Sequence, residues 1–218
     1  MKIGIIGTGN MGRALGVRWS RAGHDVVFGS RDPAKAAAAA AAAAATARAG
    51  DLEAAAAFGD VVLYTVRGVA PSQLLRDRGT LGGKIVIDCN NSDFDPARPG
   101  EFLPPPVPTF AEQLARDAPA ARVVQAFSTV PHRVIELDRA QLAPRRISVF
   151  VCSDDDAAKR AVIELANQLG FVGIDCGELA RARLVDGVTD FIRYHIAGLG
   201  RGPLIAISLA SAGDLELR

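Results

Sequence analysis

Three glycines and a hydroxyl–cation cluster carry the strongest chemical signal in the chain. Residues 2–12 read Lys-Ile-Gly-Ile-Ile-Gly-Thr-Gly-Asn-Met-Gly, an apolar run entering a Gly-x-Gly-x-x-Gly turn at Gly7, Gly9 and Gly12. In a dinucleotide site, one such glycine permits the tight turn and one lets the backbone approach a pyrophosphate. The third lets the following helix pack closely on the strand. Thr8, Asn10 and Met11 lie within the same turn and are counted with it as cofactor-binding positions. About twenty residues further on, an NAD site carries an Asp or Glu that accepts hydrogen bonds from the ribose hydroxyls. Here that place holds Ser30 and Arg31, with Lys35 one helical turn later. A hydroxyl and two cations suit a 2′-phosphate, which a carboxylate would repel, so the expected dinucleotide is NADP(H).

These residues need a sheet and its crossover helices to position them. Apolar strand-like runs occur at 3–6, 26–28, 61–65, 85–88, 123–127, 147–151 and 171–175, separated mostly by helical composition or period. That alternation predicts an α/β fold, a doubly wound, mostly parallel Rossmann sheet with a short helical C-terminal extension. The expected division is an NADP-binding domain over 1–178 and a helical segment over 179–218 serving the acceptor site or a dimer contact. Asp32-Pro33 reads as an N-cap with proline at the first helical position. The alanine-rich run 36–45 is then the second crossover helix, expected to end at Gly50. A Pro-rich passage from Asn90 to Pro108 is a loop long enough to be functional or disordered. Residues 178–199 read as one or two helices, followed by a Gly-rich break. The apolar stretch 204–209 is expected to pack on the body or on a second subunit.

In an open α/β sheet, ligands bind outside the carboxyl ends of the strands. That rule selects the loops 7–12, 65–68, 89–92 and 127–132. Thr65, Val66, Arg67, Asn90 and Asn91 are placed on the cofactor side, the two asparagines offering amides to a carboxamide or ribose. Arg67 reads equally as a neutraliser of phosphate or flavin and as a solvent-exposed cation. Ser128 and Thr129 are placed at the polar edge of an electron acceptor. His132 suggests a general acid, although a surface histidine opening a helix after Pro131 is the preferred reading. His24 reads as a turn residue, His195 as a core or subunit contact, and Cys89 as strand-end packing. Hydride transfer needs orientation and exclusion of water more than it needs reactive side chains, so no catalytic residue is required. The chain contains neither a Gly-x-Ser-x-Gly elbow nor a His-Glu-x-x-His motif, which argues against a hydrolase.

The bulk properties narrow the remaining classes. The 218 residues can bury a sizeable core, and a formal net charge of +1 gives no nucleic-acid footprint. No apolar run reaches the ~18–20 residues that span a bilayer, and the N-terminal apolar residues form a strand rather than a signal peptide. Cys89, Cys152 and Cys176 lack Cys-x-x-Cys spacing and read as reduced thiols of a cytoplasmic protein. The three histidines show no ligand spacing with them, so no metal is expected.

The motifs in order resemble those of the NADPH-dependent reductases of the deazaflavin coenzyme F420. They are similar also to those of the cytosolic oxidoreductase domain of six-transmembrane ferric reductases. The resemblance rests on residues 7–12, 29–31 with Lys35, 123–127, 151–156 with 158–160, 169–171, 175–179 and 181–184. It implies that Thr8, Ser30, Arg31 and Lys35 cradle the 2′-phosphate. On the acceptor side, Ser128 stands where the deazaflavin enzymes carry His, and Asn91 and Arg67 are closer to the ferric-reductase branch. The expected function is hydride transfer between NADP(H) and a flavin-like or deazaflavin acceptor, with F420, FMN or FAD in that role and a homodimer as the assembly. Two alternatives stand beside it. One is an NADP-dependent dehydrogenase or imine reductase of the pyrroline-carboxylate or β-hydroxyacid type, which would need a larger helical domain than the forty or so residues after the sheet. The other is a non-catalytic NADP-sensing module.

Overall fold

The computed structural model describes residues 1–91 and 107–211. Ser92 and the prolines Pro96, Pro99, Pro104, Pro105 and Pro106 of the expected loop lie outside the described residues. In chain order the elements are β1 (Lys2–Ile6), α1 (Asn10–Arg21), β2 (Asp25–Gly29), α2 (Pro33–Ala41), β3 (Arg48–Gly50), α3 (Leu52–Phe58), β4 (Val61–Tyr64), α4 (Pro71–Leu74) and β5 (Ile85–Asp88). They continue with α5 (Phe110–Asp117), β6 (Arg122–Gln125), α6 (His132–Ile135), α7 (Arg139–Leu142), β7 (Ser148–Val151), α8 (Asp156–Gln168), β8 (Val172–Asp175) and α9 (Ala182–Arg193).

Six strands form one parallel sheet in the order β3-β2-β1-β4-β5-β6. The order reverses between β1 and β4, which opens a crevice at their carboxyl ends. Side chains alternate across the sheet as the period of two demands. Ile3, Ile5, Val61, Leu63, Ile85 and Ile87 join one core cluster with Leu15 and Trp19 of α1. Ile6, Val62, Tyr64 and Val86 join the other, with Leu52 of α3 and Leu114 of α5. Burial on both faces explains why the strands read as short continuous apolar runs.

Two details differ from the sequence expectation. The alanine-rich helix is nine residues long and ends at Ala41, and Gly50 closes a strand rather than a helix. Asp32 caps α2 as expected, accepting from Ala34 N at 3.0 Å. The open edge of β2 is then covered by β3, whose Arg48 pairs with Val27 and whose Gly50 pairs with Gly29. A three-residue Arg-Ala-Gly strand has no β-branched residue to signal it. In addition, β7 and β8 form their own two-stranded parallel sheet, joined to β6 by the antiparallel bridge Gln125–Cys152. The apolar tail does pack on the body: Ile207 O accepts from Ser148 N and Ser148 Oγ accepts from Leu209 N, both at 2.9 Å.

The most confined position in the central strand is Gly4, where a Cβ would lie 2.0 Å from the Ala55 carbonyl oxygen of α3. Gly4→Ala must therefore push α3 away from β1. Overpacking of this kind costs about 1–3 kcal/mol, and urea denaturation is expected to show a lowered midpoint of that size.

Candidate functional site

At the end of β1 the chain turns through Gly7, whose φ of 99° lies in the left-handed region. The Thr65 hydroxyl bridges this turn, lying 3.0 Å from Ile6 O and 3.1 Å from Gly7 O. A side chain on Gly7 would meet that hydroxyl, and a Cβ on Gly12 would lie 2.0 Å from Gly7 O. Gly9 is the N-cap of α1 and supplies no capping oxygen, and the first turn of the helix carries no acid. A Cβ there would meet nothing within 4 Å. The first N–H groups of α1 therefore lack the side-chain partner that most helices provide, the arrangement that favours an anion.

Gly7, Thr8 and Gly9 open onto a groove of about 450 Å³ whose far rim carries Ser30, Arg31 and Lys35. Val66, Leu52 and Leu74 give it apolar walls. The one carboxylate at this rim is turned toward the protein. Asp32 accepts from the backbone N of Ala34 and Lys35 at 3.0 and 3.4 Å, and its other oxygen lies 3.9 Å from Lys35 Nζ. Such a rim suits a dianionic group.

A second cavity of about 440 Å³ shares Gly9 with the groove and extends past Asn10 and Met11. Thr65, Arg67, Asn90, Asn91, Ser128, Thr129 and His132 all line it, so the strand-end rule brings its four loops together. Asn91 is the hub. Its Nδ2 donates to Ser128 O at 2.9 Å, and its Oδ1 accepts from Arg67 at 3.3 Å and from Arg193 of α9. Burial, with the Arg67 charge beside it, holds the Arg193 guanidinium below its ordinary range. Ser128 and Thr129 follow Phe127, a non-glycine residue at φ 65° whose ring packs edge-on against Trp19 and Phe171. Left-handed backbone at such a residue costs about 1–3 kcal/mol, and positions of this kind concentrate at functional sites. The Ser128 and Thr129 hydroxyls are buried and make no hydrogen bond among the described residues. Buried polar groups left without partners are rare. His132 opens α6 half-buried, at the cavity wall. His24 bridges the N-terminal amine and Gln168, and His195 stacks on Phe191; neither lines either cleft.

Two buried carboxyls, Asp88 and Asp186, feel the charges of Arg67 and Arg193 respectively. Asp88 Oδ1 accepts from Asn90 N and Nδ2, while Asp186 accepts from Gln125 Nε2 at 3.0 Å. Asp88 Oδ2 and Gln125 Oε1 are buried without a partner among the described residues. Burial pushes both carboxyls up to about 7. Asn90 and Arg67 oppose this at Asp88, and Gln125 and Arg193 oppose it at Asp186. Asp190 and Glu112 reinforce it at Asp186, whose own charge does the same at Asp88.

Several residues of this site carry no motif in the sequence. Thr189, Ile192, Arg193 and Ile196 reach the cavity from the last helix and the π-turn after it. The signal available was the spacing of Ala182, Val185, Asp186, Thr189, Ile192, Arg193 and Ile196, an inward helical stripe carrying Asp, Thr and Arg. Among the described residues no three His, Cys, Asp or Glu side chains cluster as a metal would require. None of the described helices is long and apolar enough to cross a membrane.

Fold and clefts together fit a dinucleotide-binding protein, and comparison with known proteins supplies the class, an NADP-dependent oxidoreductase. Residues 2–92 match the family described as NADP oxidoreductase, coenzyme F420-dependent. The F420-dependent NADP reductase of Methanocaldococcus jannaschii is 33% identical over 92% of this chain and 96% of its own length. The human metalloreductase STEAP2 is 31% identical over 96% of this chain, which spans only 39% of that longer protein. A solved structure of a candidate F420-dependent NADP-reductase from Arthrobacter sp. FB24 superposes with a TM-score of 0.82. It is 26% identical and covers 97% of this chain and all of its own. The chain belongs to the family of F420-dependent NADP reductases.

The raised carboxyls give the fold a defined pH response. Between the ordinary value of 3.8 and about 7, the folded chain holds protons that the unfolded chain has released. Stability therefore falls as pH rises through that window and levels off above it. Asp88→Asn, which removes one of these protons, is expected to flatten the decline of the urea midpoint between about pH 5 and 8.

Proposed function

We propose that this protein is an NADPH-dependent reductase that passes hydride to a flavin-like or deazaflavin acceptor, with F420, FMN or FAD in that role. The observation that carries the reading is the pair of clefts meeting at Gly9, one rimmed by Ser30, Arg31 and Lys35, the other lined by Asn91, Ser128, Thr129 and Arg193. The open space at Gly9 and the uncapped start of α1 fit a pyrophosphate. Thr8, Ser30, Arg31 and Lys35 would hold the 2′-phosphate, with Val66 on the wall of that groove. Asn10, Met11, Asn90 and Asn91 would line the nicotinamide half. When bound, NADPH supplies the hydride and the acceptor takes it.

The chain's own residues do the positioning. Thr65 keeps the ends of β1 and β4 locked together under the bound dinucleotide. Ser128 and Thr129 offer their hydroxyls to the acceptor's polar edge. Arg67 and Arg193, both converging on Asn91, favour negative charge in the cavity, which suits the reduced form of a flavin-like ring. His132 remains at the wall as a group that can shield or donate. No proton transfer from a side chain is needed for the hydride step.

The assembly we propose is a homodimer built on α9. Leu184, Gly187, Phe191 and Tyr194 lie exposed at alternating spacings of three and four residues, a stripe on one helix face, with Leu199 exposed beyond it. The opposite face of α9 supplies Thr189, Ile192 and Arg193 to the cavity, so pairing through this helix would steady the acceptor side. Phe191→Glu is expected to shift the sedimentation mass toward a monomer. An unchanged mass would remove α9 from the interface.

Two measurements test the reaction. Arg31→Ala is expected to raise the KM for NADPH about ten- to a hundredfold, the equivalent of about 1.5–3 kcal/mol for a charge-assisted contact, and to leave NADH nearly unaffected. NADPH oxidation is expected with at least one of F420, FMN, FAD or riboflavin. Tight NADPH binding with no turnover of any of these acceptors would replace the enzyme reading with that of a sensing module.

A further inference from the structure

Outside the two clefts, the β7–β8 sheet holds two of the three cysteines together. The register ends with Val151 paired to Asp175, and Cys152 and Cys176 are the next residue on each chain, with Cys176 N donating to Val151 O at 2.9 Å. Both side chains belong to one apolar cluster, and the Cys176 thiol donates to Ile174 O at 3.6 Å. Cys152 is fully buried beside Phe150 and Val185, whereas Cys176 is half-buried at the margin of the same cluster. Neighbouring strands lie about 4.8 Å apart, inside the Cα separation of about 4.4–6.8 Å that a disulfide spans.

The two sulfurs differ in the way a redox couple requires. The neighbouring Cys152 draws the Cys176 thiol below its ordinary range, against partial burial and the Asp175 carboxylate. The Lys159 ammonium, 3.1 Å from both Asp156 and Asp175, adds a positive charge that favours the thiolate. Cys152 is pushed up by its Cys176 neighbour and by burial. Cys89 provides a contrast within the chain, a single buried thiol pushed up by desolvation. Reactivity follows thiolate character and access, and both favour Cys176.

We propose that Cys152 and Cys176 form a reversible dithiol–disulfide site that a hydroperoxide oxidises through Cys176. The Cys176 thiolate attacks the peroxide oxygen, the O–O bond breaks, and a sulfenic acid and an alcohol (or water) result. Cys152 then gives up its proton and displaces hydroxide from that sulfur, forming the S–S bond and releasing water. Two thiols and one hydroperoxide become one disulfide, one alcohol and one water, the peroxide taking two electrons. A small dithiol restores the reduced pair by exchange.

The test treats the full chain with equimolar hydrogen peroxide, alkylates it after denaturation and maps the three cysteines by mass spectrometry. The expected result is parallel loss of alkylation at Cys152 and Cys176, a chain lighter by two hydrogens, intact Cys89 and full recovery with dithiothreitol. Cys152→Ala is expected to leave Cys176 as a sulfenic acid trapped by dimedone. The proposal is overturned if the wild-type chain yields Cys176 sulfenic or sulfinic acid with Cys152 still a free thiol. It is equally overturned by a disulfide between two chains, or by a Cys176 no more reactive than Cys89.

Discussion

Everything at the functional end of this molecule depends on the contact of α1 with the end of β1. The helix stands so close that a methyl group on Gly12 would enter the Gly7 carbonyl. That approach forces a turn too tight for side chains at Gly7 and leaves Gly9 to start α1 without a cap. The same residue then borders both clefts. Thr65 reinforces the constraint from the neighbouring strand, because its hydroxyl is satisfied by the carbonyls that the turn presents. A polar ligand can thus be received by backbone alone at this point, with no side chain reorganising to admit it.

The opposite wall is held by a different device. Asn91 ties the end of β5 to the loop after β6 through Ser128 O, and to α9 through Arg193. Phe127 accepts a left-handed backbone because its ring is clamped between Trp19 and Phe171, and it leads into the loop whose Ser128 and Thr129 line the cavity. Asp88 and Asp186 are buried deeply enough that neutral forms persist to about pH 7. Asp190 already offsets the Arg193 guanidinium at 3.3 Å, and neutral forms of Asp88 and Asp186 spare the remaining positive charge. Ionised carboxyls in the same places would cancel much of that charge.

How far the chain could be read without its structure follows the range of the interactions involved. The parallel sheet was legible because burial on both faces writes each strand as a continuous apolar run. The groove at Ser30, Arg31 and Lys35 was legible because its parts lie within one turn and one helix start, where spacing alone implies proximity. The edge strand β3 was not, since Arg-Ala-Gly pairs only because β2 has an open edge there. Nor was Arg193: on its own helix it is one charged residue of an amphipathic stripe, and only the closure of α9 over the cavity brings it to Asn91.

The two sides of the site therefore differ in kind. Recognition of a phosphate needs charge and backbone N–H groups, which local sequence encodes by residue type. The other cleft brings together hydroxyls, amides and guanidiniums from Arg67, Asn91, Ser128 and Arg193, four elements far apart in the chain. Each of those residues is unremarkable where it stands, and their meaning lies in a shared hydrogen-bond hub. Substitutions at such positions would alter this cleft while the contacts that confine Gly7 and Gly12 stay in place. A fold so built can keep one cleft while the wall of the other is rewritten. The chain is similar both to an F420-dependent NADP reductase and to part of a longer metalloreductase.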